Sequence, residues 1–273
     1  MNKPEFWNRI RQTVERKVEA FDGVAGVALV DLYSGDRLDV RGAEQFPAAS
    51  TIKIHLLAAL VQLHHEGLVN LDERVEIMGR VQGSAVLGCL DDFVELSWRD
   101  LANLMIMVSD NTATNMIIEL VGLDRMAAFL ETWGLRNTVL ARKMQDHQAV
   151  AEGLENLASP LDTVRLLERL WSGTGFAPGV AEECMRTLKK PKKSPFRSAL
   201  PAYVTMANKP GELPRVLCEA AVVYLPHRSF GLVVMSSFGP VDPREQIRWI
   251  CNLARTVYDA MAVLDACTED GRG

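Results

Sequence analysis

Residues 50–67 read Ser50-Thr51-Ile52-Lys53-Ile54-His55-Leu56-Leu57-Ala58-Ala59-Leu60-Val61-Gln62-Leu63-His64-His65-Glu66-Gly67, and the rest of the chain arranges itself around them. Ile52, Leu56, Leu57, Leu60, Val61 and Leu63 recur at helical spacing, and Gly67 is a natural stop. Upstream, Gly23–Leu32 (GVAGVALVDL) is a short β-rich run. Tyr33-Ser34-Gly35-Asp36 turns it into Arg37–Val40, a hairpin signal. An amphipathic helix over 5–21 precedes the hairpin, carried by Phe6, Ile10, Val14, Val18 and Phe21. Downstream the pattern stays helical to residue 190, with helices expected over 98–108, 112–121, 124–133 and 160–171. Ser97, Asp110 and Ser159-Pro160 supply their start signals. The last third returns to strands at Tyr203–Asn208, Val216–Leu225 and Phe230–Ser237, then closes in a helix over 242–264. Strands from both ends of the chain must share one sheet, with the helical middle forming a lobe beside it.

The 273 residues are 48% hydrophobic and 24% charged, an ordinary globular balance. They suit a single domain, 1–273, in two lobes: a sheet-plus-helix lobe from 1–45 and 195–273, and a mainly helical lobe from 46–194. A net charge of −5 gives no electrostatic reason to expect nucleic acid or an anionic membrane as partner. No apolar run reaches the length of a membrane span. The stretch Met1–Phe21 is charged throughout and lacks the apolar segment of a secretory signal. The five cysteines are odd in number, widely spread and without a C-x-x-C pair, so free thiols and a cytoplasmic location are expected.

Three short motifs could carry chemistry. Ser50-Thr51-Ile52-Lys53 puts a serine and a lysine on one helical face. A serine hydroxyl is a poor nucleophile until a base takes its proton, and a lysine serves only if its surroundings lower its pKa. The helix N-terminus adds N–H groups suited to an oxyanion. Taken alone, Ser50 would be read as a cap and Lys53 as a solvated side chain. Ser109-Asp110-Asn111 offers a second hydroxyl and an amide, or simply the cap of the next helix. Lys209-Pro210-Gly211 offers a cation and a glycine for close approach, or an edge strand ending in a Pro-Gly turn.

Together, and in this order, the three motifs resemble the S-x-x-K, S-D-N and K-T-G set of class A β-lactamases and penicillin-binding proteins. The tail Gly211–Ser237 also resembles the paired C-terminal strands of that family. The resemblance implies an α/β (α+β) fold with an antiparallel five-stranded sheet flanked by helices, plus an all-helical lobe. It implies acylation of Ser50, with Lys53 taking or relaying the proton and Ser109 passing one to the leaving nitrogen. Asn111 would orient Lys53 and the substrate amide, and Lys209 would hold Ser109 and draw in a carboxylate. Gly211 would let substrate approach, and the N–H groups of Ser50 and Glu212 would form the oxyanion hole. No metal or organic cofactor is implied. His55, His64 and His65 have no ligand partner at a recognisable spacing and are expected on the surface or a helix face. Arg142-Lys143, Lys189-Lys190 and Lys192-Lys193 are expected as solvated charges.

Two departures stand out. Pro210 replaces the family's threonine, removing a hydroxyl and an N–H, and Glu212 brings a negative charge next to the glycine. The base that activates water against the acyl-enzyme, a glutamate in E-x-x-L-N in class A enzymes, has two candidates. Asp146 is the only acid in the expected window 143–146, and Glu152 lies four residues before Asn156. The expected activity is a β-lactamase-like serine hydrolase acting through an acyl-enzyme on Ser50. The alternatives are a D-alanyl peptidase or esterase, or a non-turnover penicillin-binding or sensor module. The expected partner is a small molecule: a β-lactam, an acyl-D-amino acid peptide or an ester.

Overall fold

The computed structural model describes residues 3–81, 83–92 and 95–269. Helix α1 (Lys3–Glu19) is followed by the hairpin β1 (Val24–Asp31) and β2 (Arg37–Val40). A short strand β3 (Phe46–Pro47) and a 3₁₀ turn (Ala49–Thr51) lead into α2 (Ile52–His65). Strands β4 (Arg74–Glu76) and β5 (Glu95–Ser97) pair with each other. The helical lobe continues through α3 (Trp98–Met107), α4 (Asn111–Val121), α5 (Leu123–Thr132) and α6 (His147–Ala151). Strand β6 (Leu157–Ala158) pairs with β3 and precedes α7 (Pro160–Ser172), α8 (Val180–Leu188) and α9 (Pro195–Ala199). The chain ends in β7 (Thr205–Leu213), β8 (Val216–Tyr224), β9 (Ser229–Ser237) and α10 (Pro243–Glu269).

The five long strands form one antiparallel sheet in the order β2-β1-β9-β8-β7. The first strand of the chain therefore lies against the last, as expected for strands arriving from both ends. Alternation along each strand divides the side chains between two cores. Val27 and Leu29 of β1, with Leu232 and Val234 of β9, pack with α1 and α10. Ala28 and Val30, with Val233 and Met235, pack with α2 and the helical lobe. Covered on both faces, these strands read as continuous apolar runs rather than as alternating ones.

Helix α2 is buried almost all round, with Ile52 through Val61 and Leu63 inaccessible. A helix apolar on every side can only be a core helix, and this one fixes the position of Ser50 and Lys53. Among the described residues no helix is long and apolar enough to cross a membrane. All five cysteines are free.

Two expectations need correction. The third motif does not end its strand: β7 runs on to Leu213, with Pro210 opposite Glu219 and Gly211 opposite Cys218. The strand tolerates Pro210 because β7 is the sheet edge, where one side of the strand has no ladder to lose. Helix α8 was not foreseen, although Val180, Cys184, Met185 and Leu188 form a buried face.

Because α2 organises the core, Leu57→Ala should lower stability by about 2–5 kcal/mol. The melting temperature followed by circular dichroism should fall accordingly, and an unchanged value would contradict the central placement of α2.

Candidate active site

Ser50 stands in the 3₁₀ turn at the head of α2, facing β7. The approach of the strand is tight. A Cβ on Gly211 would lie 2.8 Å from the Ser50 nitrogen and 3.0 Å from the Thr51 nitrogen. Both contacts are to backbone, which has no room to give, so the position requires glycine. The main chains of Ser50 and of β7 are thereby brought together, as an oxyanion hole shared between them needs.

One turn further on, Lys53 is fully buried. Its Nζ donates to the Ser109 carbonyl at 2.8 Å, to Ser109 Oγ at 3.0 Å and to Asn111 Oδ1 at 2.9 Å. Burial pushes its pKa down to about 7, against the opposing pull of the Asp110 carboxylate. Near neutrality a substantial fraction of Lys53 is uncharged and able to accept a proton. Lys209 approaches from β7, its Nζ donating to Ser109 Oγ at 3.2 Å and to the Pro210 carbonyl at 2.8 Å. Burial, then the neighbouring Lys53 and Lys192, depress its pKa well below the ordinary lysine value, while Glu219 opposes them.

Ser109 Oγ lies 2.6 Å from Ser50 Oγ. It is the common point of nucleophile and both lysines, so the path from Ser50 to Lys53 in this resting geometry runs through Ser109. A hydroxyl both donates and accepts, so a proton leaving Ser50 can pass to Ser109 as Ser109 gives its own to Lys53. Ser109 holds a left-handed backbone with φ 59°, unusual for a residue with a side chain. The Lys53 bond to its carbonyl and the anchoring of Asp110 maintain that conformation. Asp110 caps α4, its Oδ1 accepting from the Ala113 N–H at 3.0 Å. Its Oδ2 accepts from the N–H groups of Val86 and Leu87 at 2.9 and 2.8 Å.

Two clefts meet at Ser50. One, of about 510 Å³, is lined by Ser109, Asn111, Lys209, Gly211 and Glu212 as well as Ser50. The other, of about 640 Å³, runs past Arg142, Met144, Asp146, Glu155 and Glu212. Glu212 is exposed and borders both.

The two acids considered for deacylation separate here. Asp146 lines the second cleft, but its Oδ1 caps α6 by accepting from the Ala149 N–H at 3.0 Å. Glu152 lines neither cleft. It is exposed at the far end of α6 and accepts from Gln148 Nε2 at 3.1 Å, so it is not brought to Ser50. The loop between is clasped by two asparagines, Asn156, noted in the sequence only for its spacing from Glu152, and Asn115, which the sequence reading did not single out. Asn115 accepts from the Met144 N–H at 2.7 Å and donates to its carbonyl at 3.0 Å. Asn156 accepts from the N–H groups of Ala141 and Arg142. The clasped loop lines the cleft with Met144, Gln145, Asp146 and His147, and Glu155 is paired with Arg142 at 2.6 Å.

The histidines also need correction. His55 is core, and burial pushes its pKa down to about 4 against the opposing pull of the Thr51 and Ile52 main chain. His64, His65 and Glu183 bring ligand-type atoms within 4.8 Å of one another. Spacing along the chain could not reveal that grouping, because Glu183 comes from α8. Its carboxylate is already engaged by Arg99 and Arg186.

Fold and site define a serine hydrolase whose nucleophile is served by lysines in place of histidine. The sequence matches the β-lactamase enzyme family over residues 6–261, and the chain belongs to that family. It is 24% identical over 204 residues to β-lactamase SME-1 of Serratia marcescens, covering 72% of this chain and 69% of that one. The β-lactamase of Sphaerobacter thermophilus superposes with a TM-score of 0.85 at 29% identity, covering 94% of this chain and 98% of that one. A variant of PBP-A captured as an acyl-enzyme with penicillin G superposes with a TM-score of 0.84 at 29% identity, covering 93% and 96%. This is a β-lactamase-like serine hydrolase.

Removing the Asp110 carboxylate would leave three main-chain donors without their acceptor. Asp110→Ala should therefore cost about 3–5 kcal/mol, read as a lower urea midpoint. A loss below about 1 kcal/mol, no more than one ordinary hydrogen bond, would mean that Asp110 does not hold the Ser109 turn.

Proposed function

We propose that the protein is acylated on Ser50 by β-lactams and releases the product slowly, acting as a penicillin-binding hydrolase rather than a fast lactamase. The convergence of Lys53, Lys209 and Ser50 on Ser109 Oγ carries this reading. Ser50 Oγ attacks the lactam carbonyl carbon while its proton passes through Ser109 to neutral Lys53. The ring C–N bond breaks, and the nitrogen takes a proton back through Ser109. Asn111 holds the substrate amide, and Lys209 draws in the substrate carboxylate without help from a threonine hydroxyl at 210.

Slow release is supported by the second cleft. A base must meet a water beside the ester, and the loop lines that cleft with Met144, Gln145, Asp146 and His147, none of them a glutamate. The Asp146 carboxylate is engaged as a cap and Glu155 as the partner of Arg142. A second reading, hydrolysis of an acyl-D-amino acid peptide by the same machinery, is favoured by the two clefts that extend the site on either side of Ser50.

Incubation with a fluorescent penicillin and a chromogenic cephalosporin, followed by intact mass, tests the proposal. One adduct per chain should accumulate, persist, and be absent in Ser50→Ala. Met144→Glu places a carboxylate in the second cleft and should shorten the adduct lifetime by roughly 10²-fold, the lower end of the roughly 10²–10⁴-fold range of a general base. Rapid turnover by the wild type without an adduct would overturn slow release. Neither adduct nor turnover would overturn the hydrolase reading for β-lactams.

A further inference from the structure

Three clefts converge on one acid. Besides the two that meet at Ser50, a third of about 460 Å³ lies between the β7–β8 turn and the start of α10. Glu212 borders all three. The third shares Leu217 and Ile247 with the first and is not lined by Ser50, so it continues the first cleft away from the nucleophile.

Glu212 follows Gly211, the residue that packs against the Ser50 main chain. Across the ladder it stands opposite Leu217. Opposed residues share a face, so its side chain belongs to the α10 face with Leu217, whereas Lys209 lies on the helical-lobe face with Ala207. Glu212 is exposed, and among the described residues its carboxylate has no ion-pair or hydrogen-bond partner. Arg215, in the turn that follows, is held elsewhere: its Nε donates to the Gly239 carbonyl at 2.7 Å and its Nη2 to the Phe238 carbonyl at 3.1 Å. Beyond Glu212 the third cleft is largely apolar, with Leu213, Pro240, Val241 and Ile247 in its wall.

The position of Lys209 fixes which part of a ligand meets this acid. Lys209 and Ser109 line the first cleft and not the second, so the carboxylate that Lys209 draws in lies in the first cleft. In a β-lactam that carboxylate belongs to the half that departs from the carbonyl with the ring nitrogen. A substituent carried beside it therefore extends toward Glu212 and the apolar third cleft. An unpaired carboxylate there attracts a cation and repels an anion.

We propose that Glu212 is a specificity-determining residue that selects a zwitterionic leaving half: a carboxylate for Lys209 and, beside it, a cation with apolar surroundings for Glu212 and the third cleft. The inference rests on the acylation of Ser50 proposed above.

The test compares two cephalosporins that share one thienylacetyl side chain and one ring carboxylate. Beside that carboxylate cephaloridine carries a pyridinium, and cephalothin carries a neutral acetoxy group. Second-order acylation rates of the whole chain are read by competition with a fluorescent penicillin and checked by intact mass. The intrinsic reactivities of the two drugs cancel when the wild-type ratio of rates is divided by the ratio in Glu212→Gln. The preference for cephaloridine should fall about threefold to fivefold in Glu212→Gln, the size of an exposed ion pair. In the wild type it should fall by a similar factor between about 0.05 M and about 1 M NaCl, and in Glu212→Gln salt should leave it nearly unchanged. Glu212→Lys should shift the ratio further toward cephalothin.

Glu212 is exposed and unpaired, so these variants leave the fold intact. An unchanged ratio would overturn the proposal. So would an equal loss for both drugs, which would assign Glu212 to the strand contact with Ser50 and not to charge selection. Acylation by the penicillin with neither cephalosporin reacting would also overturn it, while leaving the acylation reading standing. If no β-lactam modifies Ser50, the underlying reading falls and this one falls with it.

Discussion

The structure turns on one oxygen. Ser109 Oγ lies within hydrogen-bond distance of Ser50, Lys53 and Lys209, and its one proton and two lone pairs serve all three: it donates to Ser50 and accepts from both lysines. Two ammonium groups this close, out of water, repel each other strongly, and desolvation penalises each further. Burial depresses both lysines below the ordinary lysine value, with the Asp110 carboxylate opposing it at Lys53 and Glu219 opposing it at Lys209. Nucleophile activation is therefore a consequence of burial. The same Lys53 on a solvated helix face would stay charged and useless as a base.

That burial is what the fold provides. Helix α2 is apolar on every side, so it can only sit in the centre, and Lys53 goes in with it. The sheet is assembled from both ends of the chain, which brings Lys209 on β7 against a turn 159 residues earlier in sequence. Gly211 permits the contact, and Pro210 is tolerated beside it because β7 is an edge. The helical lobe supplies Ser109 and Asn111 from the start of α4, whose cap is the same Asp110 that anchors the 86–87 segment.

Much of this could be read in the sequence because its determinants are local. The periodicity of 50–67, the hairpin at 24–40, and the caps at Ser97, Asp110 and Ser159 each depend on a few neighbouring residues. That strands from both ends of the chain share one sheet beside a helical lobe followed from those local elements taken in order, whereas the β-lactamase-like fold and its five antiparallel strands came from the resemblance of the three motifs. What escaped was decided at a distance. Pro210-Gly211 reads as a turn until β8 is present to pair with it. The placement of Asp146 and Glu152 depends on Asn115 and Asn156, whose tertiary hydrogen bonds clasp the loop; Asn156 could be noted by its spacing, but neither its partners nor Asn115 could. His65 meets Glu183 only because α2 and α8 pack together. Glu219 did leave a visible mark, a lone acid in the run VLCEAAVVY, and an isolated charge in a buried strand is a signal of a partner.

The chemistry then divides into a part that is assembled and a part that is absent from the same cleft. The groups that form an ester on Ser50 converge within hydrogen-bond distance, while the loop that lines the second cleft brings Met144 and no glutamate between Arg142 and His147. The central claim is that burial makes Lys53 the base, and it is tested most directly by the acid limb of the wild-type acylation rate. The account predicts a rate that climbs about tenfold per pH unit and levels off near pH 7, where Lys53 loses its proton. A rate that is flat from about pH 5 to 8, or that keeps rising toward about pH 10 as an ordinary lysine would require, contradicts it.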